Sequence, residues 1–346
     1  MSHANPLDGF KVDPARIAYV GEGLERPECI LAEPDGSLWT ADARGGVVHI
    51  LPDGSQRLIV PEAGAGAADG GRSSAPDAVA RLTSGLLPNG LAFARNGEIL
   101  IANFGTDRLE AMTREGRLRV VADTMDGQPL GKVNFVLRDS RDRLWLSIST
   151  RMRNWMEAMR PQVRDGYVAL YDRGRLRMVA DGIGFTNEMR LDAKEEWLYV
   201  AETTGRRITR FRVGEDGSLS GRETFGPSDH GAFIDGIAFD GFGNLWGTHV
   251  MTDRIFALTP EGEMRILLDD DGGSAAGRAL MEAFERDAVT PELMMACGGR
   301  IAPMFTSVTF GGPDLRTVYI GSLGSKRLPW FRSPVAGLPM IHWPRG

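Results

Sequence analysis

The sequence predicts an all-β protein, a six-bladed β-propeller with lid-like insertions on one face. Two observations lead there. Six segments can be laid over one another in a single register: PECILAEPDGSLWTAD from Pro27, PNGLAFARNGEILIAN from Pro88, VNFVLRDSRDRLWLSIS from Val133, TNEMRLDAKEEWLYVAE from Thr186, IDGIAFDGFGNLWGTH from Ile234 and FTSVTFGGPDLRTVYIGS from Phe305. Each then continues in one way: two apolar runs around a Gly, Asp or Asn turn, a polar loop, and two more runs around a second turn. That is four short antiparallel strands joined by hairpin chemistry. A single twisted sheet of this kind cannot cover both its faces, so units recurring every ~40–50 residues stack as blades.

The first unit shows the pattern in full, with runs at 30–33, 37–42, 47–51 and 55–60 separated by Pro34-Asp35-Gly36, a polar loop at 43–46 and Pro52-Asp53-Gly54. The fifth repeats it at 236–240, 244–249, 254–258 and 263–268. The sixth is short of an outer strand, while residues 16–20 form a strand-like run with no partner ahead of the first unit. The N-terminal run is therefore expected to complete the last blade, and the whole chain, 1–346, to form one domain. Three insertions exceed a minimal blade: 61–87, 151–164 and 269–302. In an up-and-down blade their connections emerge on one face. The second, RMRNWMEAMRPQVR, and part of the third, AAGRALMEAFERD, have helical periodicity. Met152, Trp155, Met156 and Met159 form an apolar stripe at helical spacing. Long loops gathered over one mouth point to a lid or pocket wall.

The shared register puts Glu28, Asn89, Asn134, Asn187, Asp235 and Thr306 in one column, where the innermost strands converge on the axis. Two carboxylates, three carboxamides and a hydroxyl, with no Cys or His, are the donors of a hard oxygen-seeking cation such as Ca²⁺. A divalent ion would also relieve the repulsion between the two acids. The second strands end on the same face and bring Asp42, Asn103, Ser149, Glu202, His249 and Ser322 to the rim. His249 is a candidate catalytic group because imidazole titrates near neutral pH; Glu202 is read as a substrate contact or a loop anchor. Trp39, Trp145 and Trp246 recur at one offset and are expected to pack between blades.

The formal charge of −6 and pI near 5.5 argue against a nucleic-acid or anionic-membrane partner and leave a small-molecule substrate. The 44 glycines and 19 prolines fall at turn positions, as a turn-rich β protein requires. The opening MSHANPLDGFKVDP lacks a charged head followed by an apolar core, so a cytoplasmic protein is expected. Cys29 and Cys297 make neither a disulfide framework nor a zinc cluster. The sequence leaves the oligomeric state open.

At these motifs the chain resembles the senescence marker protein and gluconolactonase family of calcium-dependent six-bladed propellers, which includes luciferin-regenerating enzymes. The likeness rests on Glu28 ahead of PDGSLW, Asn134 ahead of RDRLWLS, Asn187 ahead of LDAKEEWLYVAET, and Asp235-Gly-Ile-Ala-Phe-Asp ahead of GNLW. The resemblance implies Glu28, Asn187 and Asp235 as metal ligands. It implies Asn134 as a fourth ligand or a substrate contact, and Ca²⁺ as the cofactor, replaceable by Zn²⁺, Mn²⁺ or Mg²⁺. Where the family carries Arg two residues before that Asn and Asp directly after it, this chain has Lys132 and Phe135. With Asn89 and Glu202 these are the expected substrate contacts, and the aromatic replacement argues for a less polar substrate than a sugar. The expected activity is metal-dependent hydrolysis of lactones or related cyclic esters, with Asp235 as base or nucleophile. A phosphotriesterase, lyase or isomerase on the same scaffold, or a propeller that only binds a partner, are the alternatives.

Overall fold

A computed structural model describes residues 4–61, 86–271 and 273–344. Six four-stranded antiparallel sheets form the blades of a β-propeller. In blades 1 to 5 the strands follow chain order from axis to rim, beginning with Ile30–Ala32, Pro88–Phe93, Val133–Arg138, Thr186–Leu191 and Phe233–Phe239. Blade 6 takes Phe305–Gly311, Thr317–Ser322 and Leu328–Arg332 from the C-terminal part and its outer strand, Ala18–Val20, from the N-terminal part. Ala18 pairs with Trp330 and Val20 with Leu328, so the first strand closes the ring.

The ring is also pinned at every junction by a hydrogen bond from one blade to the next. Leu91 N donates to the Cys29 thiol, Asn89 Nδ2 to Asn134 O, Ser149 Oγ to Thr186 O, Thr203 Oγ1 to Ile234 O, Thr248 Oγ1 to Thr306 O, and Thr306 Oγ1 and Ser307 Oγ to Glu28 O. The first satisfies a backbone N–H and the others satisfy carbonyls that a sheet edge at the axis would otherwise bury unpaired. The three recurring tryptophans are fully buried and each ties to the acid that opens its own blade's first turn: Trp39 to Glu33 at 2.6 Å, Trp145 to Asp139 at 2.9 Å and Trp246 to Asp240 at 2.9 Å.

Of the insertions, 61–87 lies almost wholly outside the described residues. The second forms a 3₁₀ turn, Trp155–Ala158, rather than an α-helix. Asn154 caps it, and Pro161 follows within a turn, leaving no room for a longer helix. The third holds two α-helices, Ala275–Phe284 and Pro291–Met295, capped by Ser274 and Thr290. Its first helix seats Phe284 edge-on against Phe233 at 4.9 Å. A two-stranded hairpin, Thr124–Met125 with Gln128–Pro129, joins blades 2 and 3. No described helix is long and apolar enough to cross a membrane.

Candidate functional site

The column residues face the axis because the strands are irregular there. In blades 2 to 6 the pairing of the innermost strand slips between Pro88 and Leu91, Val133 and Phe135, Thr186 and Met189, Ile234 and Ile237, and Phe305 and Val308. Asn89, Asn134, Asn187, Asp235 and Thr306 each sit within such a slip, and Glu28 just precedes the paired part of blade 1. A bulge unpairs one residue and re-aims its side chain. Close approach of the neighbouring blade demands glycine after two of them: a Cβ on Gly90 would lie 2.6 Å from Phe135 Cα, and one on Gly236 2.4 Å from Thr306 O.

Glu28, Asn89, Asn134, Asn187 and Asp235 line one cavity together with Arg26 and Thr203. Asn89 is the connector. Its Nδ2 donates to Glu28 Oε1 at 3.0 Å, and its Oδ1 accepts from Arg26 Nη2 at 2.7 Å. Asn187 Nδ2 is held by Thr203 Oγ1 at 3.1 Å, which leaves its oxygen free. Four buried oxygens then have no hydrogen-bond partner: Glu28 Oε2, Asn134 Oδ1, Asn187 Oδ1 and Asp235 Oδ1. Burial raises the Glu28 carboxyl well above the usual carboxylate range. Burial and the nearby Glu28 and Glu188 charges do the same to Asp235. Unpaired acceptors of this kind are costly unless something positive meets them. The four oxygens fit a hard cation: acceptor-only atoms on two carboxylates and two carboxamides. Among the described residues no group of three or more His, Cys, Asp or Glu is placed to hold a metal, so the amides must complete any set.

Above this polar floor the walls are apolar: Phe104, Trp155, Met159, Phe185, Phe233, Val250, Met251, Met294 and Leu323. The cavity is about 70 Å³. The other expected contacts are placed elsewhere. Lys132 pairs with Asp107 at 2.9 Å and lies 5.7 Å from the Phe104 ring, so it stands behind the wall rather than in it. Phe135 is buried in the core beneath Arg190, whose guanidinium lies 4.6 Å from its ring. The bulge aims Asn134 at the cavity, while Phe135 packs into the core with Leu137. Glu202 accepts from Thr209, Gly184 N, Arg207 and Arg222; burial opposes its charge, but these bonds hold its carboxyl below the usual range. It anchors the loops around it. Thr306 gives its hydroxyl to Glu28 O at 2.8 Å and does not line the cavity.

His249 also lies outside the cavity wall. It stacks on Phe256 and its Nε2 meets His230 Nδ1 at 3.0 Å. Burial, then the paired ring, pushes the His249 imidazole well below its usual range, and burial takes His230 to about 4. An unfolded imidazole titrates near 6.5. Between pH 6.5 and about 4 the unfolded chain therefore binds more protons, and stability falls as pH falls; His230 alone accounts for up to about 3 kcal/mol. Thermal unfolding across that window should show this loss, and a His230→Gln, His249→Phe double variant should flatten it. An unchanged pH profile in the variant would count against the pair.

Two groups at the site were missed. Arg26 enters the cavity at the same offset before Glu28 that Lys132 has before Asn134, a repeat signal available in the alignment. Glu188, directly after Asn187, is fully buried below the floor, paired with Arg190 at 2.9 Å and with Oε1 unpartnered.

The SMP-30/Gluconolactonase/LRE-like region matches residues 27–268, the stretch that carries five of the six column residues. The chain belongs to this family. Three relatives align with it: a pentonolactonase of Haloferax volcanii (29% identical over 153 residues, 44% of this chain and 42% of the relative), a 6-deoxy-6-sulfogluconolactonase of Pseudomonas putida (24% over 155 residues, 44% and 43%) and an adipocyte plasma membrane-associated protein of Salmo salar (28% over 244 residues, 68% and 56%). The chain thus matches about half the length of these relatives. Among solved structures, a gluconolactonase of Xanthomonas campestris superposes at TM-score 0.64 and 16% identity, covering 93% of this chain and 90% of that one. A calcium-binding regucalcin of Agrobacterium tumefaciens superposes at 0.65 and 14%, covering 93% and 96%. At such identities these likenesses show the propeller fold alone.

Proposed function

We propose that this SMP-30/gluconolactonase family member is a lactone hydrolase dependent on a divalent cation, Ca²⁺ by its oxygen donors, with compact and partly apolar or aromatic lactones as substrates. The observation that carries the reading is the convergence of four unpartnered oxygens, from Glu28, Asn134, Asn187 and Asp235, at the base of an apolar cavity. Two relatives are named as lactonases, which supports the same reaction class.

A cation held by those four residues would polarise the acyl carbonyl and offset the repulsion between Glu28 and Asp235. The chain supplies the rest. Asp235 accepts a proton from the attacking water, Asn89 fixes Glu28, and Thr203 fixes the orientation of Asn187. Phe104, Phe185, Phe233 and Trp155 exclude bulk water and pack on the substrate ring. Ligand sites usually measure ~300–1,000 Å³, far above the present cavity, so the Trp155–Ala158 turn and the Pro291–Met295 helix move outward to admit substrate. They act as a lid.

A turnover screen of aliphatic, sugar and aromatic lactones against phosphotriesters, with and without chelator, tests the reading. Lactones should be opened, chelator should abolish the activity and Ca²⁺ restore it. The kcat/KM for dihydrocoumarin should exceed that for gluconolactone, because nine apolar walls offer a sugar's hydroxyls few partners. A large preference for the sugar would overturn the substrate class, and chelator-insensitive turnover the cation.

A further inference from the structure

Arg26 is the one cationic side chain lining the axial cavity among the described residues, and its position is costly to hold. Its backbone is left-handed, φ 53°, a region that glycine prefers and a long side chain rarely occupies. Its Nη1 donates to Pro88 O at 3.2 Å and its Nη2 to Asn89 Oδ1 at 2.7 Å, while its buried Nε–H has no partner. The two outer nitrogens thus brace the guanidinium, the buried Nε–H keeps an unmet hydrogen-bond capacity, and Glu28 and Asp235 stand close enough to act on its charge.

The charges at the site add a second argument. With a divalent ion bound, Glu28 and Asp235 would be ionised and contribute two negative charges, and Arg26 one positive. A divalent ion alone would neutralise the acids; with Arg26 the loaded site carries a net positive charge. A neutral lactone does not need that excess, but an acyl oxyanion and a carboxylate do.

Building on the lactonase reading, we infer that Arg26 is a catalytic residue that donates its Nε–H to the acyl oxygen as charge develops there, and afterwards holds the carboxylate of the ring-opened hydroxy acid. Water oxygen bonds to the acyl carbon as its proton passes to Asp235, and the carbonyl π pair moves onto the acyl oxygen facing Arg26. That pair re-forms the C=O, the bond from acyl carbon to ring oxygen breaks, and the ring oxygen takes the proton from Asp235. Lactone and water become one hydroxy acid, which loses its acid proton to solvent and becomes the carboxylate that Arg26 retains.

The test uses Arg26→Met and Arg26→Lys in the full chain, each checked by its thermal midpoint. Three quantities are read: kcat/KM on dihydrocoumarin, binding of its ring-opened product 3-(2-hydroxyphenyl)propanoate to Ca²⁺-loaded protein by calorimetry, and Tb³⁺ affinity by luminescence. Arg26→Met should lower kcat/KM by about 10²–10³-fold, the usual cost of losing one such donor, and weaken product binding. It should also tighten Tb³⁺ binding, because a like charge has left the site. Arg26→Lys, keeping charge but not the fork, should fall between. Weaker Tb³⁺ binding in proportion to the lost activity would overturn the inference, since Arg26 would then serve only to hold Asn89 and through it Glu28. Unchanged product binding would overturn it too. If the wild-type protein opens no lactone, the lactonase reading fails, and product binding and Tb³⁺ affinity still decide the role of Arg26.

Discussion

Asp235→Asn is expected to lower kcat on a confirmed lactone by about 10²–10⁴-fold, the range that loss of a general base covers, with little change in folding. The asparagine keeps the size and one potential ligating oxygen but removes charge and basicity. The backbone that presents residue 235 is held independently of its side chain: Gly236 N is bound by Thr248 Oγ1 at 3.1 Å and Ile237 N by Glu188 Oε2 at 3.2 Å. Asp235→Ala should cost more, because it also removes one of the four oxygens and loosens retention of the cation. Steady-state kinetics on both variants, with metal content measured in parallel, check the order. An Asn variant that kept its metal and wild-type kcat would make Asp235 structural, and Glu28 the next position to test.

Trp246→Ala is expected to destabilise the fold by about 3–5 kcal/mol, the cost of emptying a large aromatic site. Its ring is fully buried and stands edge-on to Phe310 at 5.3 Å and near-parallel to Phe331 at 6.3 Å, joining blade 5 to blade 6, the blade closed by the N-terminal strand. The truncation also strips Asp240 Oδ2 of its indole donor. Urea unfolding should therefore show a lowered midpoint. Loss of less than about 1 kcal/mol would mean that the blade interface refills the space or contributes little.

The repeat made the propeller legible because blade count and register are periodic properties: the same turn residues, the same strand lengths and the same oxygen donor recur. Even the strand exchange in blade 6 could be read from one missing run and one surplus run. Side-chain direction off the column was harder, because it depends on what each side chain meets across a blade boundary. Lys132 is drawn to Asp107, a residue of the preceding blade, and His249 to His230 on the loop ahead of its own blade. Neither partner follows from the offset alone. Phe135 was hard to place because the bulge at Asn134 breaks the alternation, so that Val133 and Phe135 join different core clusters. Arg26 was legible but unread: two residues before the column stand Arg26, Leu87, Lys132, Phe185, Phe233 and Met304, and three of these line the cavity. The 3₁₀ turn at Trp155–Ala158 departs from the expected helix because Asn154 starts it too close to Pro161.

The cation on the axis is the central claim, and anomalous scattering from a crystal of protein purified without chelator and grown with Ca²⁺ tests it most directly. The expected result is one anomalous peak per chain at about 2.3–2.6 Å, the range for calcium–oxygen bonds, from Glu28, Asn134, Asn187 and Asp235. Absence of that peak, with the four side chains turned away from the axis, would contradict it.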